Sequence, residues 1–78
     1  MIFKYSIKIA DFYYNQSAKS MTKRIINETN IKNPIIKKIS NTKYRVLIGP
    51  FNDIKSLEKS FNEIKSLNFE NLEIVEDA

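Results

Sequence analysis

Hydrophobic and polar residues alternate with a period of two in two segments that nearly repeat each other. The segment "KYSIKIADF" begins at Lys4, and "KYRVLIGPF" begins 39 positions later at Lys43. Both open with Lys-Tyr and share a β-branched residue at the fourth position, Ile at the sixth and Phe at the ninth. Because such alternation is typical of a strand with one buried face, the pattern predicts two similar strands.

A helical period of apolar residues follows each of these strands. In "NQSAKSMTKRIINET", apolar positions recur at helical spacings, and Asn15 or Ser17 is expected to cap the helix start. In "IKSLEKSFNEIKSLNF", they recur at intervals of three and four, and Asn52 and Asp53 offer caps. The sequence therefore predicts two amphipathic helices, each directly after one of the similar strands.

Two further strands complete the pattern. "PIIKKIS" predicts an edge strand that opens at Pro34, because proline has no N–H to donate to a central ladder. Its alternation does not decide whether Ile35 or Ile36 faces inward, so Lys37 and Lys38 also stay unassigned. "NLEIVE" predicts a last strand near the end of the chain.

The element order is therefore βαββαβ, which predicts an α+β, ferredoxin-like (RNP-like) fold. In this fold a four-stranded antiparallel sheet carries two helices on one face, and the two similar strands lie side by side in its centre. The shared positions of those strands are expected to face the helices: Tyr5, Ile7, Ile9, Tyr44, Val46 and Ile48. The intervening positions are expected on the uncovered face: Ser6, Lys8, Ala10, Arg45, Leu47 and Gly49.

Composition narrows the possible chemistry. The 78 residues suffice for one domain with one modest core, and they include no Cys and no His. Disulfides, thiolate or imidazole metal sites and His-based catalysis are thereby excluded, and a single Gly cannot build a phosphate cradle. We expect a non-enzyme without metal or cofactor. No apolar run is long enough for a membrane span, and "MIFKYSIK" is not typical of a signal peptide, so any anchor of the parent protein is expected upstream.

Charge is distributed unevenly along the chain. The net charge is +4, yet residues 1–45 carry ten basic and two acidic side chains, whereas residues 46–78 carry three basic and seven acidic ones. A basic half favours an anionic partner, although solvated surface charge is an equal alternative.

The second repeat segment resembles the hallmark of the SPOR domain, the septal peptidoglycan-binding module of bacterial division proteins. The matching positions are Tyr44, Arg45, Val46, Gly49, Pro50 and Phe51. The first segment departs from the family pattern at three positions, with Lys8 in place of Gln, Ala10 in place of Gly and Asp11 in place of a small residue. The resemblance covers residues 3–76, so we expect residues 1–78 to be a single SPOR-like domain excised from a longer anchored or exported protein.

The resemblance implies non-catalytic binding of denuded glycan strands, the peptidoglycan left when amidases remove the stem peptides. It also implies a location in the periplasm or cell envelope at the division septum, with other division proteins as further partners. In that family the open sheet face and the adjoining loops bind the glycan. The expected glycan-binding residues here are Lys8, Asp11, Tyr13, Arg45 and Leu47.

The chemistry of these side chains suits such a ligand. Each denuded muramic acid exposes a lactyl carboxylate, which Arg45 can hold bidentately and Lys8 as a point charge. Leu47 is expected to be exposed beneath a sugar ring, and Tyr13 to stack on sugars from a loop that also contains Tyr14. In the alternative interpretation, Arg45 and Lys8 are solvated charges that oppose aggregation, Leu47 is a lone exposed apolar residue or lies under a terminus, and one of the two tyrosines only seals the helix end.

Two other functions share this fold order, namely RNA binding and protein interaction. RNA-recognition domains stack bases on aromatic side chains of the open sheet face. Because Tyr5 and Tyr44 are expected to face inward, no nucleic-acid partner is predicted. Lys37 and Lys38 on the edge strand are expected to discourage strand pairing.

Overall fold

A computed structural model of the protein describes residues 3–76 and contains six elements. These are β1 (Tyr5–Phe12), α1 (Asn15–Glu28), β2 (Pro34–Ser40), β3 (Lys43–Phe51), α2 (Ile54–Lys65) and β4 (Glu73–Glu76). All neighbouring strands are antiparallel, and their order in the sheet is β2-β3-β1-β4. The predicted ferredoxin-like fold is confirmed, and so is the adjacency of the two similar strands β1 and β3. No helix among the described residues is both long and apolar enough to cross a membrane.

One hydrophobic core lies between the helices and one face of the sheet. Its members are Ile7, Ile9, Ala18, Ile25, Ile31, Val46, Ile48, Leu57 and Ile64. Because α1 and α2 pack into the same cluster as the inward side chains of β1 and β3, both helices cover the same face. Tyr5 and Tyr44 are partly buried against this cluster, which confirms their inward orientation.

A β-bulge in β1 changes the face that the second half of this strand presents. Ile9 and Ala10 together lie opposite Val46, and Asp11 is the next residue to pair, with Arg45. Ile9 is buried and Ala10 packs against the core, so the expectation that Ala10 lies on the open face is wrong. The extra residue shifts the alternation by one position, which turns Asp11 onto the open face beside Arg45.

A second irregularity occurs in β3, where Gly49 and Pro50 together lie opposite Ser6. Gly49 has a φ of 130°, and a Cβ atom at this position would lie 2.9 Å from the Ser6 Oγ and 3.2 Å from its Cα. Both the backbone conformation and the space require glycine. The buried Ser6 thus lies directly beside the backbone of the neighbouring strand.

The pairing of β2 with β3 decides the orientation that the sequence pattern left open. Ile36 lies opposite the buried Val46 and packs against the core, so it faces the helices. Ile35 and Lys37 alternate with Ile36 and therefore lie on the open face. The strand opens at Pro34 on the edge of the sheet, as predicted.

The two helices begin differently. Asp53 caps α2, since its carboxylate accepts a 2.8 Å hydrogen bond from the Ser56 backbone N–H, as predicted. This bond is the main reason why the pKa of Asp53 is lowered. Helix α1 follows Tyr14 without any side-chain cap, so the expected caps Asn15 and Ser17 are wrong. Both residues lie inside the helix, because the turn after β1 is only two residues long.

Candidate functional site: the open sheet face

The sheet face opposite the helices carries polar and charged side chains from all four strands. The register places there Ser6, Lys8 and Asp11 of β1, Ile35 and Lys37 of β2, Arg45 and Leu47 of β3, and Glu73 and Val75 of β4. Lys8, Asp11 and Arg45, three of the five predicted site residues, are brought together at its centre. The set contains no aromatic ring, which is consistent with the inward position of both central tyrosines.

A charge network joins three strands of this face. Arg45 of β3 donates two hydrogen bonds to Asp11 of β1, at 2.8 Å from Nε to Oδ1 and 3.1 Å from Nη2 to Oδ2. Lys8 Nζ lies 3.6 Å from the second Asp11 oxygen and 3.7 Å from Glu73 Oε2 of β4. We call these four residues, Lys8, Asp11, Arg45 and Glu73, the open-face network.

Electrostatics keep the central pair of this network ionised. Hydrogen bonding to Arg45 lowers the pKa of Asp11, against the opposing effect of burial, and the Coulombic field of Lys8 lowers it further. The same hydrogen bonds raise the pKa of Arg45. The two side chains are 24% and 25% exposed, so the pair is partly shielded from solvent but still reachable.

The bidentate pair leaves donors for a second anion. A guanidinium has five N–H groups, of which Asp11 accepts two, so three remain on Arg45. Lys37 of the neighbouring strand pairs in register with Arg45 and is exposed on the same face. The remaining donors of Arg45 are therefore available to an anionic ligand without displacement of Asp11.

Leu47 does not have the exposure expected of it. Only 6% of this residue is accessible, although it lies on the open face. Leu47 lies on the central strand β3. Its register partners are Lys8 of β1 and Ile35 of β2, so the side chains of these two residues flank it on the open face. The expectation of an exposed Leu47 is wrong, and its neighbour Ile35 is the more exposed apolar residue of the two.

Tyr13 lies at one end of the network, in the turn after β1. It is 71% exposed, and its ring centroid is 6.3 Å from that of the equally exposed Tyr14. A shallow pocket of about 230 Å³ contains Tyr13, Asp11 and Lys43 in its lining. The predicted loop position of Tyr13 is confirmed, and this pocket connects its ring to the open-face network.

A larger hollow, of about 650 Å³, lies where the network meets the loop between α2 and β4. Lys8, Asp11 and Glu73 line one side of it, and residues 68–71 line the other. Sequence reasoning did not include this loop in the site. The sequence signal for this loop is the mostly polar string "NFEN" between a helix and a strand. Only the order of the strands in the sheet places that string next to Lys8.

Fold and surface together define a class of small βαββαβ domain in which both helices cover one face of the sheet and the other face is uncovered and polar. The family model described as SPOR domain matches residues 3–74, and the chain belongs to this family. SPOR domains are peptidoglycan-binding modules associated with septal proteins of the bacterial cell envelope. No curated protein and no solved structure matches the chain.

Proposed function

We propose that this domain binds peptidoglycan glycan strands that lack stem peptides, without catalysing a reaction. Binding would direct a longer, anchored or exported parent protein to the division septum, where other division proteins are further partners. The observation that carries the proposal is the position of Arg45, which lies in the family motif at the centre of an uncovered sheet face with three N–H donors still available.

The charges of this face suit a polymer with repeated carboxylates. Removal of a stem peptide leaves a lactyl carboxylate on muramic acid, and Arg45 can bind it through charge-assisted hydrogen bonds. Lys37 of β2 lies directly opposite Arg45. Lys8 of β1 lies opposite Leu47, the next residue of β3 on the same face. Asp11 holds the guanidinium in a fixed orientation, which reduces the entropy lost when a ligand binds.

The alternative of RNA binding has less support from this surface. Single-stranded RNA is recognised by aromatic side chains that stack on unpaired bases. The side chains that the register places on the open face include none, and Tyr5 and Tyr44 pack against the core.

Binding to isolated sacculi tests the proposal directly. The domain is incubated with sacculi before and after treatment with an amidase that removes stem peptides, and the bound fraction is measured. We expect binding to appear or rise strongly after treatment. Equal binding to both preparations, or a preference for single-stranded RNA, would contradict the proposed ligand.

Replacement of Arg45 tests the site. Arg45→Ala should weaken binding to denuded glycan by roughly 1.5–3 kcal/mol, the contribution of a charge-assisted hydrogen bond. Loss of its ion pair with the partly exposed Asp11 should cost at most about 1 kcal/mol of folding stability. Affinity and urea unfolding are measured side by side.

Two control variants separate binding from folding. Lys23→Ala removes the same charge from an exposed position of α1 and should leave affinity unchanged. Val46→Ala should lower stability first, because this side chain is fully buried beneath the helices. Wild-type affinity in a folded Arg45→Ala protein would exclude Arg45 from the site.

A further inference from the structure

The two edges of the sheet carry opposite charges. In the described part of the chain, β2 pairs only with β3 and β4 pairs only with β1, so each has an unpaired edge. The β2 edge bears Lys37 and Lys38, whereas the β4 edge bears Glu73 and Glu76. All four residues are exposed. These four residues place opposite charges at the two unpaired edges of the sheet.

The strand directions allow these edges to pair between molecules. Every neighbouring pair in the order β2-β3-β1-β4 is antiparallel, so β4 runs opposite to β2. A second copy shifted sideways in the plane of the sheet places its β2 antiparallel to β4 of the first. The helices of both copies then lie on the same side of one continuous sheet.

One register of this pairing places opposite charges across from each other and keeps open-face residues opposite open-face residues. Opposite residues in it are Glu73 with Lys37, Ile74 with Ile36, and Val75 with Ile35. Glu73, Val75, Lys37 and Ile35 all belong to the open face, and the remaining pair belongs to the helix face. A slip by one residue would turn every side chain of the incoming strand to the opposite face and would lose these matches.

We propose that β4 of one molecule pairs with β2 of a second copy of this chain, which extends the sheet from head to tail. Two β2 edges repel each other through their lysines, and two β4 edges repel through their glutamates, so symmetric pairing is disfavoured. Ile74 is 52% exposed and lines an apolar pocket of about 240 Å³ with Phe3, Tyr5 and Ile54. A neighbouring molecule on this edge shields that apolar surface from water.

The contact is small, and its strength follows from its size. β4 contains four residues, which bury far less than the roughly 1,200 Å² of a stable specific interface. We expect a dissociation constant on the order of 1 mM. Pairing is head to tail, so it does not close and continues as concentration rises.

Charge-reversal variants test which edges meet. Self-association is measured by sedimentation velocity at rising protein concentration and low salt. Lys37→Glu and Glu73→Lys should each weaken self-association about tenfold, because an attractive cross-strand pair becomes repulsive. Glu73→Lys also loses the ion pair with Lys8 of the same molecule, so urea unfolding is measured alongside to show that the variant is folded. An equimolar mixture of the two variants should associate like wild type, since each edge then meets an opposite charge. Lys23→Glu, with the same charge change on α1, should have no effect.

Cysteine crosslinking tests the register, since the chain contains no native Cys. Under mild oxidation, a mixture of Val75→Cys and Ile35→Cys should form the mixed dimer, because directly opposite Cα atoms lie within disulfide range. A mixture of Val75→Cys and Ile36→Cys, with the second thiol on the other face, should not.

Three outcomes would overturn the inference. They are a chain that stays monomeric at millimolar concentration, association that is insensitive to both charge reversals, and crosslinked Ile35→Cys homodimers in place of the mixed dimer. No glycan is present in these experiments, so failure here is independent of failure of the proposed function.

Discussion

Arg45 is already held by a carboxylate before any ligand arrives. Asp11 accepts two of its hydrogen bonds, and the pair lies on the two central strands of the open face. Under the proposed function, a glycan carboxylate would either add to the remaining donors or replace Asp11. In both modes, the negative charge of Asp11 opposes the incoming carboxylate.

The variant Asp11→Asn measures how strongly this charge opposes binding. The amide keeps the shape of the side chain but no longer competes as an anion, so affinity for denuded glycan should rise several-fold. Binding is measured by titration with amidase-treated glycan. Glu58→Gln, which removes the same charge from the exposed surface of α2, is the matched control and should change little. A fall in affinity would show that the orientation that Asp11 gives to Arg45, or a contact of Asp11 with the sugar, outweighs the effect of its negative charge.

The same variant should alter the pH dependence of stability. Arg45 holds the pKa of Asp11 below its usual value near 3.8, so the ion pair contributes stability fully above that pH. The contribution is lost as the pH falls below 3.8 and through the lowered pKa of the folded state. Urea midpoints are measured from roughly pH 6 down to roughly pH 2, a range that includes the ordinary pKa of aspartate. They should fall less steeply for Asp11→Asn than for wild type.

At the scale of elements, the bulge in β3 makes a sharp prediction about Gly49. Gly49→Ala should destabilise the fold by roughly 1–3 kcal/mol, because alanine resists a φ of 130° and its Cβ would contact Ser6. Thermal or urea unfolding gives the measurement. Ser6→Ala removes the nearer atom, Oγ, and in the double variant should recover only part of the loss. Full recovery would mean that backbone conformation contributes nothing.

The order of the elements, the central pair of strands and the cap of α2 follow from the sequence, because each has a repeated or local signal. The bulge at Ile9 and Ala10 has none. The string "IKIAD" alternates without interruption, and alanine fits either face, so the phase change is visible only in the pairing with β3. The burial of Leu47 could not be predicted from the sequence either. Ile35 of β2 lies beside Leu47, and the sequence pattern does not decide which face Ile35 occupies. Arg45 was placed correctly because its strand alternates regularly there.

At the scale of the whole molecule, the net positive charge conceals a balance of opposing groups at the site. Lys8 replaces the neutral residue of the family pattern, yet it lies within 4 Å of two carboxylates. Its field is therefore partly cancelled before a polyanion arrives. The open face is less cationic than the count of basic residues suggests.

Lys8→Gln measures what remains of that charge. We expect the variant to bind denuded glycan still, but with a shallower loss of affinity as salt rises, because one fewer exposed charge is screened over about 8–10 Å. Affinity is compared at two salt concentrations. Lys19→Gln on α1 carries the same charge change and should keep the wild-type slope. An unchanged slope for Lys8→Gln would show that this side chain does not contact the ligand.

The pairing of Tyr5 with Glu76 brings the start of β1 and the end of β4 together at one corner of the sheet. Asp11 lies six positions along β1 from Tyr5, about 20 Å away at strand spacing. The Asp11–Arg45 pair therefore lies at the opposite end of β1 from both of these strand ends, so a ligand can lie across it without contacting the first and last residues of the sheet.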